Sequence, residues 1–199
     1  MSSPLSIAVR SPALLLAILV AVLCISLQFA GLAETWRFDR ENIASGAWHL
    51  LLTGNFVHFG SGHLFMNMAG FALIVAMVWQ HFKAWEWGVV ILVSSLFVGI
   101  GLYLRDPSIH WYVGFSGTLH GLIIAGSLAD LKHYPKFAVP LLIVVIGKLA
   151  WEQIDGPLPG SEEVAGGFVA VNSHLYGAIG GAVIATVLLV ARRWRYTPP

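Results

Sequence analysis

A serine and a histidine stand in this chain where apolar runs begin. Ser116 lies in Gly114-Phe115-Ser116-Gly117-Thr118-Leu119-His120-Gly121, and His174 lies in Asn172-Ser173-His174-Leu175-Tyr176-Gly177 at the head of the last apolar run. Hydroxyl and ionisable side chains cost free energy at membrane depth and face a cavity or the bundle interior, so each marks a functional site by default. These two types are the ones a nucleophile and its general base require.

Composition makes the surrounding solvent a bilayer. Of 199 residues 57% are hydrophobic and 11% charged, with eight Trp among them, which is too apolar for a soluble domain. The net charge of +1 leaves no basic surface of the kind nucleic acid needs, so nucleic acid is not an expected partner. Cys24 is the single cysteine and has no partner for an intramolecular disulfide; it reads as a small packing residue.

The elements that must position the serine and histidine follow from hydropathy. Apolar runs at about 12–33, 62–80, 86–104, 114–129, 136–151 and 168–191 predict six spans, hence an all-α membrane bundle forming one domain over residues 1–199. The first run, Pro12 to Ala33, has 22 residues, longer than a signal-peptide core, and Leu23 precedes Cys24 where a lipoprotein needs a small residue, so it reads as a retained helix. Basic residues set the orientation. With the N-terminus cytoplasmic, Arg10, Lys83, Lys132, Lys136, Arg192, Arg193 and Arg195 lie inside and only Arg37, Arg40 and Arg105 outside, which predicts cytoplasmic termini. The segments Glu34 to Ser61 and Glu152 to Ala165 are then the larger outer loops.

Helical rise tests whether polar residues on different spans could meet. At ~1.5 Å per residue, Ser116 lies about 21 Å above Asp130, Asn67 about 24 Å above Lys83 and His174 about 27 Å above Arg192. All three fit one level just below the outer face of a ~30 Å core. The fourth span is too short to cross that core unaided, so Ser116 is expected at the floor of a depression open to the outside. Gly117 with Gly121, and Gly177 with Gly181, form GxxxG spacings that let two backbones approach, so the spans carrying Ser116 and His174 are built to touch.

Gly114-Phe115-Ser116-Gly117, His63-Leu64-Phe65-Met66-Asn67 and His174-Leu175-Tyr176-Gly177 resemble the GxSG, HxxxN and HxxG elements of rhomboid intramembrane serine proteases, in family order and over nearly the whole chain. The extended GxSGxLHG form and Leu51-Leu52-Thr53-Gly54-Asn55-Phe56-Val57-His58 resemble more closely the rhombosortase branch, whose members are proteases of the bacterial inner membrane. Trp48-His49 departs from the Trp-Arg of many relatives, which bears on the packing of the first outer loop.

The resemblance implies that Ser116 is the nucleophile, His174 the general base and acid, and that the Asn67 amide, the His63 side chain and the Ser116 backbone N–H stabilise the oxyanion. It also implies a Ser-His dyad. No acidic residue neighbours His174 in the sequence, and the spans carry no Asp or Glu placed to orient the imidazole, which leaves packing, Tyr176 or water for that task. Gly114, Gly117, His120 and Tyr176 are expected as the surrounding layer, with His120 a turn deeper than the serine hydroxyl. Ser94, Ser95 and Ser127 are expected to bond back to their own helices, and Lys148 to snorkel. His49, His58 and His63 lack the HExxH pattern or carboxylates of a zinc site, so neither metal nor cofactor is expected.

Three function classes compete. An intramembrane serine endopeptidase leads, with the lipid bilayer and membrane-anchored proteins as partners; rhombosortases are associated with substrates ending in a Gly-Gly motif, an apolar helix and a basic cluster. A general rhomboid cleaving other single-span proteins is the alternative, followed by a non-catalytic client-binding relative, against which the retention of Ser116 and His174 argues. A transporter would need paired charges and broken inverted repeats, which are missing.

Overall fold

The computed structural model describes residues 11–194, so Arg10 and Arg195 lie outside the described residues. Long helices dominate: α1 (Pro12–Phe29), α5 (Ser61–Val78, continued by a 3-10 turn to His81), α6 (Ala84–Arg105), α7 (Ser116–Asp130), α8 (Pro135–Asp155) and α10 (Val171–Trp194). Short helices α2 (Ala33–Trp36), α3 (Arg40–Ala44), α4 (Leu50–Thr53) and α9 (Ser161–Ala165) sit at one end with a two-stranded ribbon, β1 (Phe38–Asp39) antiparallel to β2 (Trp111–Tyr112).

Five helices are long and apolar enough to cross a membrane: α1, α5 with its 3-10 turn, α6, α8 and α10. The fourth apolar run differs. α7 has 15 residues, about 22 Å of helix, short of a ~30 Å core. Eleven of those residues are buried, so α7 is the central post, wrapped by protein and not by lipid. It packs against α5, α6, α8 and α10.

Two boundaries move from the hydropathy reading, with consequences for the site. α10 begins at Val171, so the 168–170 stretch is an extended lead-in. α8 runs on through Glu152 to Asp155 and stops at Gly156, whose φ of 83° suits glycine. Hydropathy ends that span where charge begins; the helix continues because Glu152 finds partners inside the protein.

The core explains why α7 stands where it does. Trp79 and Trp87 stack with ring centroids 4.1 Å apart, against Phe71, Leu122 and Phe115. Each indole N–H is satisfied, by Ala13 O and Trp79 O respectively. At the opposite end from the ribbon, Glu86 caps its own helix by accepting from Lys83 N at 2.7 Å and accepts from Arg192 of α10. This ties the ends of α6 and α10 together.

Candidate active site

The backbone contact between α7 and α10 sets the site. A Cβ on Gly177 would overlap the carbonyl of Gly117, and one on Gly181 would overlap that of Gly121. A Cβ on Gly117 would in turn come within 2.8 Å of Ser173 O. The two GxxxG faces therefore meet backbone to backbone, and the helices carry Ser116 and His174 into reach. His174 Nε2 lies 3.0 Å from Ser116 Oγ.

The outer loop clamps the segment before the serine. Gly54 approaches Phe38 N and Tyr112 O so closely that no side chain fits, and its carbonyl accepts from Gly114 N at 3.0 Å. Tyr112 OH donates to Gly114 O at 2.7 Å. Gly114 itself has φ 127°, a conformation open to glycine, and its missing side chain leaves room for the His63 ring. Beyond the serine, Thr118 Oγ1 lies 2.8 Å from Ser95 Oγ and donates to Asn55 Oδ1 at 3.2 Å, while Asn55 Nδ2 donates to Ser95 O. Ser95 thus bonds across to α7 and not back to its own helix.

Arg40 anchors this loop. Its guanidinium donates to the carbonyls of Leu102, Tyr103, Asp106 and Ile109, closing the open end of α6. Trp48 packs edge-on against Tyr103. The first outer loop, on whose packing Trp48-His49 bears, is secured by an arginine earlier in the chain.

Asn67 and His63 face the same space. Both are buried on α5, and both line a cavity of about 350 Å³ together with Ser116, His120 and His174. Met66, Leu119, Leu158 and Phe168 supply its apolar walls. Asn67 Nδ2 donates to His63 O at 3.0 Å; an amide nitrogen carries two hydrogens, so one remains for the cavity. His63 Nδ1 is buried without a partner among the described residues. The neighbouring His58 is fully buried, its ring 5.1 Å from that of His63, and with no partner on either nitrogen its pKa is pushed down to about 3 by burial. Burial likewise raises the Tyr112 phenol.

The sequence expectation that no carboxylate reaches the histidine is overturned. Glu152, buried on α8, places Oε2 2.9 Å from His174 Nδ1. It was missed because it is 22 residues from His174 and outside the apolar window. Lys148 is no snorkelling residue either: Nζ lies 2.6 Å from Glu152 Oε1 and 3.0 Å from His120 Nε2. His120 Nδ1 lies 2.8 Å from Ser116 O, and its ring stacks on His174 at 4.3 Å. Tyr176 is removed from the imidazole: its hydroxyl donates to Asp106 Oδ2 at 2.7 Å and its ring fills the gap left by Gly101. The carboxylate of Asp106 also takes the Asn172 amide, so it holds the first turn of α10 on both sides of His174.

The Rhomboid domain matches residues 45–191. The chain belongs to the rhomboid family. Comparison with curated proteins gives no match. Rhomboids are generally intramembrane serine proteases, and the apolar helices agree that this rhomboid is an integral membrane protein. The close group of metal-ligand types among the described residues is His120, Glu152 and His174, with donor atoms within 4.8 Å of one another. In this rhomboid the Lys148 ammonium already bonds two of those three.

Proposed function

We propose that this protein is an intramembrane serine endopeptidase of the rhombosortase type, with Ser116 as nucleophile and His174 as general base and acid. The observation that supports it most is the 3.0 Å approach of His174 Nε2 to Ser116 Oγ at the wall of a cavity. Ser116 Oγ forms a bond to the scissile carbonyl carbon while its proton passes to His174 Nε2, and the carbonyl π electrons move to oxygen. Asn67 Nδ2, His63 and the Ser116 backbone N–H donate to that oxyanion. As it collapses the C–N bond breaks and His174 hands its proton to the leaving amine. Water, losing a proton to His174, then attacks the ester; Ser116 Oγ leaves and recovers the proton.

The substrate reading rests on the resemblance of GxSGxLHG, Gly114 to Gly121, and of Leu51 to His58. Exported proteins with a C-terminal Gly-Gly motif, apolar helix and basic cluster would lose that anchor, at the periplasmic side of a bacterial inner membrane, from a six-span single-domain enzyme with cytoplasmic termini. A non-catalytic client binder would have no use for a serine and histidine at bonding distance. A fluorophosphonate probe should label the wild type at Ser116 and leave Ser116→Ala unlabelled. Labelling elsewhere, or none, removes the protease reading.

A further inference from the structure

The cavity holds more polar machinery than a nucleophile and a base require. Starting at Ser116 Oγ, contacts run to His174 Nε2, from His174 Nδ1 to Glu152 Oε2, from Glu152 Oε1 to Lys148 Nζ, from Lys148 Nζ to His120 Nε2, and from His120 Nδ1 to Ser116 O. The ring closes on the residue where it began. We propose that Glu152 and Lys148 are positioning residues that fix the tautomer and orientation of His174, so that the site works as a buried Ser-His-Glu arrangement locked by an ammonium. This rests on the Ser116–His174 reading.

Donor and acceptor chemistry leaves one assignment of protons around the ring. An ammonium only donates, so His120 Nε2 accepts from Lys148 and His120 Nδ1–H donates to the Ser116 carbonyl. A carboxylate only accepts, so Glu152 takes both the second bond from Lys148 and the Nδ1–H of His174. The lone pair on His174 Nε2 is thereby turned toward Ser116 Oγ–H, the one tautomer in which His174 can take the proton. When His174 becomes an imidazolium during attack, the Glu152 carboxylate faces the new charge.

Each charge needs the others. Glu152 is 3% exposed, and a buried carboxylate without partners is strongly unfavourable. Lys148 at i−4 and His174 across the cavity satisfy both its oxygens. Two further features favour positioning over simple helix pairing. Lys148 contacts α7 as well as its own helix, and the His120 ring it holds stacks on the His174 ring, closing off rotation of the imidazole away from Ser116.

The test measures inactivation of the full chain in detergent by a fluorophosphonate, separating the maximal rate from the probe concentration at half-rate. Glu152→Gln keeps the volume and still accepts from Lys148 but presents an amide to Nδ1, which holds His174 in the wrong tautomer. Its maximal rate should fall by about 10² to 10⁴-fold with the half-rate concentration unchanged. Lys148→Met should lower the rate by about tenfold or more, Lys148→Arg should restore most of it, and adding Lys148→Met to Glu152→Gln should lower it little further, since both act through one histidine. If Lys148→Met fails to fold, Lys148→Arg and the double variant, in which no buried charge is stranded, still decide the matter. A wild-type maximal rate in Glu152→Gln overturns the proposal while labelled Ser116 keeps the protease reading. An unlabelled wild type overturns both.

Discussion

At the scale of single residues, the proposed mechanism gives the hydroxyl of Ser116 and the amide of Asn67 different parts of the same reaction. Ser116→Ala removes the proposed nucleophile with almost no change of volume, so cleavage should vanish while the thermal midpoint stays. Asn67 is a subtler case. Its Nδ2 donates one hydrogen to His63 O on the preceding turn and keeps the other for a substrate oxygen, a bond that strengthens as that oxygen gains charge. Asn67→Ala should therefore lower turnover by about 10²-fold, the scale of one lost oxyanion donor, with KM little changed. Steady-state kinetics on a single-span substrate check this; a loss confined to KM would make Asn67 a binding residue.

At the scale of elements, the approach of His174 to Ser116 depends on how α10 is seated. Its first turn is held by Asp106 through Asn172 and Tyr176, its middle lies against α7 at Gly177 and Gly181, and its far end is held by the Glu86–Arg192 pair. A single methyl at Gly177 meets backbone, which cannot swing aside. Gly177→Ala should cost about 1–3 kcal/mol of stability from overpacking and, by moving His174 about 1 Å, about 10²-fold in turnover. Gly147→Ala on α8, where a Cβ meets open space, is the control and should be neutral or slightly stabilising. Thermal midpoints in detergent and turnover of both variants give the comparison; equal behaviour would mean the α7–α10 contact is not what places the base.

At the scale of the whole molecule, α9, the 168–170 lead-in and Tyr112 of β2 contribute to the lining of the cavity, at the end that also carries the short helices. The basic residues expected inside, Lys83, Lys132, Lys136 and Arg192, belong to the other end, where α6 and α8 begin and α7 and α10 finish. Cleavage is therefore expected at or just beyond the outer face of the membrane, releasing the exported part of a substrate. A helical peptide bond is shielded and already hydrogen-bonded, so residues that weaken a helix near the cut should help. Replacing a Gly-Gly pair there by Leu-Leu should slow cleavage at least tenfold. Sequencing of product ends checks the position: a cut in the cytoplasmic third contradicts the depth argument, and indifference to Leu-Leu leaves a general rhomboid.

What the sequence alone could determine was local in character. Apolar runs are contiguous, so the long helices were legible, as was the shortness of α7. The glycine spacings, four residues apart on each helix, were legible as a face able to meet another backbone. Ser116, His174, Asn67 and His63, which line one cavity, could be singled out because each sits inside a short motif. Glu152, Lys148 and Arg40 sit in no such pattern. Glu152 read as the start of a loop because an isolated carboxylate ends an apolar window, and only the packing of α8 beside α7 and α10 supplies the ammonium and imidazole that let it be buried. Tyr176 failed in the opposite way: it is two residues from His174 in the chain, but two residues are about 200° around a helix, which points it at α6 and Asp106. Partners for a buried polar group come from whichever helices lie alongside, and that is decided by tertiary structure.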